Sequence, residues 1–350
     1  MAVDWTDVRV PLTRAVEEEI SEIAGLPGLT GWQDLGGNWS TNIAARQHGQ
    51  PRVLVFRIHQ RFVSKDRLLA EQHTRRVLGS AGLPSVGSLP IFQGSTIARL
   101  RSGNLIEVEP FISSDAKMDS PERLIAGFAT LGALHDALRS VSLTAAAHAV
   151  TYANHLDAHL VDGRTRAGVD KIKSWRIPEL ATFADRLPAH ITSVLDREAD
   201  LRFDQHVQVV HGDFWDNNVL FVNGEVAAVL DFGFMASRPR IDDLALPIWF
   251  YLLGRAPSDP AAIDVVTAMV DAYDQTTSRP LTTAERLSLP LVLARQPAWM
   301  IGRWVLLDEN EARAQAHARR AATEFSVAVD VLDRMQDWQQ ALRRTKASKS

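Results

Sequence analysis

No cysteine occurs in the 350 residues. That excludes disulfides, thiolate nucleophiles and cysteine-ligated zinc, and leaves the compartment open. Long apolar runs are also missing: the longest nearly unbroken one, Leu244 to Leu253, contains a proline and is too short to cross a bilayer. Positive charge is not in excess. Lys and Arg number 38 against 42 Asp and Glu, a formal charge of −4, so no basic field draws nucleic acid. The N-terminus, MAVDWTDVRV, has no basic stretch followed by an apolar core and so no secretory signal. The expectation is a soluble, cytoplasmic protein whose partners include neither nucleic acid nor membrane. No internal repeat is visible. What is present is globular in composition, 46% hydrophobic and 23% charged, and long enough for one large bilobal domain or two smaller ones.

Residues 11–26 have the pattern of an amphipathic helix, with Leu12, Val16, Ile20 and Ile23 on one face. Gly31, Gly36 and Gly37 then punctuate a stretch leading to Ile43–Ala45, a turn at His48–Pro51, and the run Val53–Ile58. This predicts three antiparallel strands with a glycine turn between the first two. A helix is expected over 64–80, ended by Gly82-Leu83-Pro84, with short strands near 89–100 and 104–109. Beyond Phe111 the pattern is mostly helical. Ser120 caps and Pro121 opens a helix to 139, and further helices over 145–200 are broken near Asp162-Gly163 and Ile177-Pro178. A β island at 207–231 interrupts the helices, which resume to about 342. The expected outline is α+β: a small β-rich N-terminal lobe (1–110), a larger helical C-terminal lobe (111–342), and a basic, disordered tail (343–350).

The chemistry concentrates in Val207–Leu246. A short strand, Val207 to Val210, delivers His211-Gly212-Asp213 to its end. Asn223-Gly224 is a strong hairpin-turn signal between Asn218–Val222 and Glu225–Leu230. A two-residue turn pairs Val222 with Glu225 and sets Asn218 opposite Val229. Asp231 then follows at the open end, where the loop from Asp213 must also arrive. Two carboxylates and an amide make a hard-oxygen site suited to magnesium, which usually also binds substrate phosphates. Phosphoryl transfer needs such a set: an acid to orient or deprotonate a hydroxyl, and metal ligands to neutralise the moving charge.

The pattern HGDxxxxN (His211 to Asn218), followed by Asp231-Phe232-Gly233 and by Asp243-Leu244-Ala245, resembles the aminoglycoside phosphotransferase and choline kinase group, related to protein kinases. The resemblance implies a protein-kinase-like bilobal fold. It implies Asp213 as catalytic base, Asn218 and Asp231 as magnesium ligands, Asp243 as anchor of the catalytic loop and His211 as its brace. Alternation along Val53–Ile58 sets Val53, Val55 and Arg57 on one face. In a kinase-like lobe Val55 would cover adenine and Arg57 would meet the phosphates, arginine departing from the protein-kinase lysine. Glu71, in the next helix, matches the spacing of the family's ion-pair partner for that cation. Gly36, Gly37 and Ser40, in Leu35–Ser40, take the place of the phosphate-covering loop without being GxGxxG. Glu109-Pro110-Phe111 falls where the lobes join, placing its backbone at the adenine edge.

These features lead to the expectation of a kinase using ATP (or GTP) with Mg2+ on a small hydroxylated acceptor, in first place an aminoglycoside-like antibiotic. A homoserine- or choline-like amino alcohol is the alternative, and a nucleotide-binding pseudokinase a third reading. The protein-kinase function is disfavoured, because His-Gly-Asp replaces His-Arg-Asp and no Ala-Pro-Glu follows. Phe214, Trp215 and Asp216, directly after the base, are candidate acceptor contacts. His155 and His159 are spaced to share a solvated helix face, His135 reads as packed in an apolar helix, and most of the nine tryptophans as core.

Overall fold

The structure is a computed structural model describing residues 9–37, 39–148, 154–199, 201, 205–255 and 259–343. Trp5, Asn38 and the tail from 344 onward lie outside the described residues. The chain opens with α1 (Arg14–Ala24), capped by the Thr13 hydroxyl and ended by Gly25 in the left-handed region. A five-stranded antiparallel sheet follows, in the order β1 (Leu29–Asp34), β2 (Thr41–Gln47), β3 (Val53–Ile58), β5 (Leu105–Pro110), β4 (Ile97–Arg99). One face of this sheet is apolar. Ile43, Ala45, Leu54, Phe56, Ile58, Ile106 and Val108 pack with Ile20 and Ala24 of α1, as the alternation requires.

The other face takes α2 (Lys65–Ser80) and is held by charge. Arg75 of α2 bonds Glu107 at 2.5 Å and also Glu109 on β5, while Ser88, Gln72 and His59 bond the Glu107 carboxylate at 2.6, 3.0 and 3.1 Å. Burial opposes the charge of Glu107, but Arg75 and His59 hold its carboxyl well below the usual range. Every oxygen of this buried acid is partnered, the condition under which a buried ion network is tolerated.

The second lobe contains α3 (Pro121–Leu138), α4 (Ala158–Ser174), α5 (Pro178–Glu198), α6 (Arg240–Leu252), α7 (Pro260–Thr276), α8 (Thr283–Ala294), α9 (Gln296–Trp299), α10 (Glu311–Asp333) and α11 (Met335–Leu342), with a π-helical turn at Met300–Val305. Its large apolar core includes Trp249, Trp338, Phe128, Leu187 and Ile301. Ser120 caps α3 with Pro121 in its first turn, as expected. The break expected at Asp162-Gly163 does not occur. α4 runs through it, and Arg166 ties Asp162 from one turn on, a pairing that supports helix there.

Two small sheets carry the β island. β7 (Val207–Val210) pairs with β10 (Ala236–Pro239), and β8 (Val219–Val222) lies between β9 (Glu225–Val229) and β6 (Ala116–Lys117). β6 and β10 were not expected, being four residues or fewer with no alternation to mark them. Asn223 (φ 53°) and Gly224 (φ 84°) form the tight turn. Val222 pairs with Glu225, but a bulge between Leu220 and Phe221 moves the register, so Val229 faces Val219 rather than Asn218. Asn218 instead accepts from the Leu230 N–H through its carbonyl at 2.8 Å.

Candidate active site

β7 ends at Val210 and the next three residues form a loop locked from below. Asp243, buried at the start of α6, accepts from the His211 N–H at 2.8 Å and from the Gly212 N–H at 2.7 Å. His135 Nε2 meets the same carboxylate at 3.0 Å, with its Nδ1 2.8 Å from the Tyr273 hydroxyl. Gly212 has φ 79°, and a Cβ there would stand 2.3 Å from the Phe234 carbonyl oxygen, so only glycine fits. The His211 ring is fully buried. Its Nδ1 accepts from the Asp213 N–H at 3.1 Å, and its Nε2 contacts the Leu230 carbonyl at 2.8 Å, which assigns the proton to Nε2. Burial pushes its pKa down, against the attraction of Asp243. His211 is therefore a neutral brace, and Asp213 is the acid carried at the loop tip.

Asn154 donates to Asp213 Oδ1 and Asn218 to Oδ2 at 2.7 Å. Burial, and then the negative charge of Asp231, push the Asp213 carboxyl up to about 8. Asp231, left-handed at φ 60°, accepts from the Gly233 N–H at 3.2 Å and pairs with Arg57 at 2.6 Å. Burial would raise its pKa, but Arg57 holds it below the ordinary value, so this carboxylate is ionised. The expected trio thus meets at one place.

Among the described residues no three His, Cys, Asp or Glu side chains are arranged to hold a metal. The donor set fits magnesium in another way. The Asn218 amide nitrogen is committed to Asp213, so the oxygen of that amide and the ionised Asp231 carboxylate are the hard donors the two residues offer. Two protein oxygens completed by water and phosphate are a common magnesium shell.

Arg57 lies on β3 on the same face as Val55, which is half-buried. The expected pair between Arg57 and Glu71 is not formed. Glu71 is taken by Arg67 one turn earlier on α2, at 2.8 Å, and Arg57 reaches Asp231 instead. Glu71 still contributes at longer range. Burial opposes the charge of Arg57, but Asp231, then Glu107 and Glu71, raise its pKa. Arg67 was not singled out from the sequence. Its guanidinium bonds the carbonyls of Ala147 (2.6 Å), Phe232 (3.0 Å) and Gly233 (2.8 Å), tying α2 to the loop that carries Asp231. Arg67, Glu71 and Arg75, spaced i, i+4, i+8, were the available signal, but such a stripe ordinarily marks a solvated face.

In the glycine loop, the Gly36 N–H donates to Asp34 at 2.8 Å rather than standing free for a phosphate. Gly37 (φ 120°) is required by close approach, since a Cβ would lie 2.7 Å from both Asn42 Nδ2 and the Ser40 carbonyl. Ser40 is buried beneath the loop. Trp39 packs edge-on against Trp304 of the other lobe at 5.6 Å. At the lobe junction the Phe111 N–H donates to the Val53 carbonyl at 3.0 Å, and the Glu109 side chain is held by Arg75. The ladder therefore uses the Phe111 donor expected at the adenine edge.

Of the three acceptor candidates, Phe214 is a correction. It is fully buried, edge-on to His211, and supports the loop from the core side. Trp215 stacks on Phe250 at 4.8 Å, and Asp216 is half-buried with its pKa raised by burial. His155 is a second correction. It precedes α4, is buried, and its Nδ1 sits 3.1 Å from Asp242, while His159 is exposed on α4. A cavity lined by Asn154, His155, Asp242, Arg295, Gln296 and Trp299 opens beside Asp213's partner Asn154.

Comparison with known proteins places the chain in a class. The model of the phosphotransferase enzyme family (APH) matches residues 31–280, and the chain belongs to that family. Among curated proteins it is 29% identical over 155 residues to a homoserine kinase of Methylocella silvestris, covering 41% of this chain and 46% of the relative. It is 33% identical over 116 residues to a homoserine kinase of Phenylobacterium zucineum, covering 31% and 34%. The chain therefore matches less than half the length of either relative. Solved structures of similar fold include a microcompartment-associated aminopropanol kinase (TM-score 0.69, 12% identity, 92% of this chain and 98% of that one). An aminoglycoside phosphotransferase of Alicyclobacillus acidocaldarius gives TM-score 0.66 at 14% identity over 95% and 96%. The fold is the α+β, protein-kinase-like one.

Proposed function

We propose that this chain transfers the γ-phosphoryl group of ATP (or GTP), with Mg2+, to a hydroxyl of a small acceptor. The observation that carries this reading is the meeting of Asp213, Asn218 and Asp231 at the end of the β8–β9 hairpin, with Arg57 above them. Asp213 takes the acceptor proton as its oxygen bonds to the γ-phosphorus, and the bond to the β–γ bridging oxygen breaks to release ADP. Asn218 and Asp231 would hold Mg2+, which would supply charge neutralisation for the phosphates. Arg57, Val55 and the loop with Gly36, Gly37 and Ser40 lie on the nucleotide side, and Trp215 and Asp216 on the acceptor side.

The raised Asp213 carboxyl suits a base that must hold a proton briefly and release it near neutral pH. An aminoglycoside-like antibiotic and a homoserine- or choline-like amino alcohol are the two acceptor readings. The homoserine kinases among its relatives, and the absence of a marked acidic excess in the second lobe, favour the smaller one. Cytoplasmic location agrees with this chemistry, and among the described residues no helix is long and apolar enough to cross a membrane.

The test is a mass-spectrometric screen for gain of one phosphoryl group, with Mg-ATP and pooled aminoglycosides, choline, ethanolamine and homoserine. A product made by the wild type and not by Asp213→Ala is expected. Absence of both product and nucleotide binding would overturn the reading.

A further inference from the structure

One aromatic side chain of the second lobe reaches the glycine turn of the first. Trp39 follows Gly36 and Gly37, is half-buried, and packs against the core of the helical lobe. Its carbonyl accepts from Gln60 Nε2 at 2.7 Å, and its ring lies 5.5 Å from that of Phe62, which is 43% exposed. Across the lobes it meets Trp304 edge-on at 5.6 Å, with the two planes at 87°. Edge-to-face is an attractive arrangement for two aromatic rings. The polar groups expected to serve phosphate are already engaged in this turn: the Gly36 N–H is given to Asp34, and Ser40 is buried. Aromatic packing therefore sets where the turn stands relative to the second lobe.

Trp304 is itself fixed by its surroundings. It is buried in the π-helical turn Met300–Val305, a rare element that concentrates at functional sites. A Cβ on Gly302 would stand 2.5 Å from Leu156 Cδ1, and one on Gly168 of α4 2.6 Å from the Ile301 carbonyl oxygen, so α4 lies directly against this turn. His317 of α10 backs the indole at 5.4 Å. Phe234 lies on a further side, at 6.4 Å. Phe234 ends the short turn after Asp231, and its carbonyl oxygen is the atom that crowds Gly212 in the loop carrying Asp213. One buried indole thus links the glycine turn to the segment that follows Asp231.

We propose that Trp304 is a positioning residue for the nucleotide. Through Trp39 it anchors the glycine turn on the phosphate side, and through Phe234 it fixes that turn relative to Asp231. This rests on the kinase reading above and deepens it, because phosphoryl transfer depends on holding the phosphates and the metal ligands in one geometry. Trp304 acts through Trp39 rather than by contact with the reacting atoms.

The experiment is a double-mutant cycle on the full chain, with the Kd of Mg-ATP read by titration calorimetry and folding checked in urea. Trp39→Leu and Trp304→Leu are each expected to raise that Kd about fivefold, the share of binding that one edge-on pair supports. The double variant is expected to raise it no further than either single one, since both remove the same contact. Trp304→Phe keeps an aromatic ring for Trp39 and is expected to stay within about twofold of the wild type. Trp39→Leu changes a half-buried site and tests the contact even where Trp304→Leu fails to fold. A Kd unmoved by Trp39→Leu overturns the inference and leaves the kinase reading standing. So do effects that multiply in the double variant, and so does a Trp304 variant that loses stability in urea yet binds Mg-ATP as the wild type does. Absence of Mg-ATP binding by the wild type overturns the kinase reading, and the inference with it.

Discussion

Asp213 couples activity and stability in a way that one substitution separates. Its carboxyl sits near 8 in the folded protein against an ordinary 3.8, because burial and the neighbouring Asp231 penalise the charged form. The sign follows. A carboxyl raised on folding contributes its stability in full below about pH 4 and loses it progressively as pH climbs to about 8. Between pH 5 and pH 8 linkage allows at most about 4 kcal/mol, at about 1.4 per pH unit. Asp213 is only partly buried, and its contact with water takes up part of this, so about 2 kcal/mol is expected. Asp213→Asn cannot ionise and escapes the loss. Relative to the wild type it should gain that amount between pH 5 and pH 8, read by urea denaturation of both proteins at each pH. Losing one accepted hydrogen bond offsets the curve by about 1 kcal/mol without tilting it. The same variant should lower kcat by about 10²- to 10⁴-fold while Mg-ATP binding by calorimetry stays nearly unchanged. A stability difference flat with pH would refute the electrostatic account of Asp213, and a loss of ATP binding equal to the loss of turnover would refute its role as base.

Four further outcomes test the surrounding structure. Arg57→Ala should weaken ATP binding by about tenfold or more in titration calorimetry, as expected for one charge-assisted contact, and unchanged affinity would misplace the nucleotide. Gly212→Ala should cost more than about 2 kcal/mol in denaturant unfolding, since its Cβ meets the Phe234 carbonyl. Gly36→Ala, where the added Cβ meets open space and only the positive φ is penalised, should cost about 1 kcal/mol. Arg67→Met should destabilise by about 3–5 kcal/mol, because it strands buried Glu71 and three carbonyls. Full stability of that variant in urea would mean the Asp231 loop is held by something else.

Much of this arrangement was legible without coordinates, because local chemistry dictated it. Alternation placed Val53, Val55 and Arg57 on one face and Leu54, Phe56 and Ile58 on the other. Asn223-Gly224 set the hairpin, Ser120-Pro121 the start of α3, and the residues around the turn gathered Asp213, Asn218 and Asp231. Each follows from backbone geometry within a few residues. The one-residue error in pairing Asn218 arose from a bulge, which no side chain in Leu220–Phe221 announces.

What only the tertiary structure decided is which charges are buried and with whom. Arg67, Glu71 and Arg75 make a helix stripe that would be solvated on an isolated helix. Here β5 and the Asp231 loop close over it, so Glu71 is spent on Arg67 and Arg57 turns to Asp231. His155 left an expected helix surface for the same reason: its fate depends on Asp242, 87 positions away. Phe214, beside the base in sequence, points into the core, while Arg238, 24 positions on, comes to lie against Gly212. Short-range pattern follows from the covalent chain and its hydrogen bonds, whereas ion partners are chosen by long-range packing, where desolvation makes every unpaired charge costly.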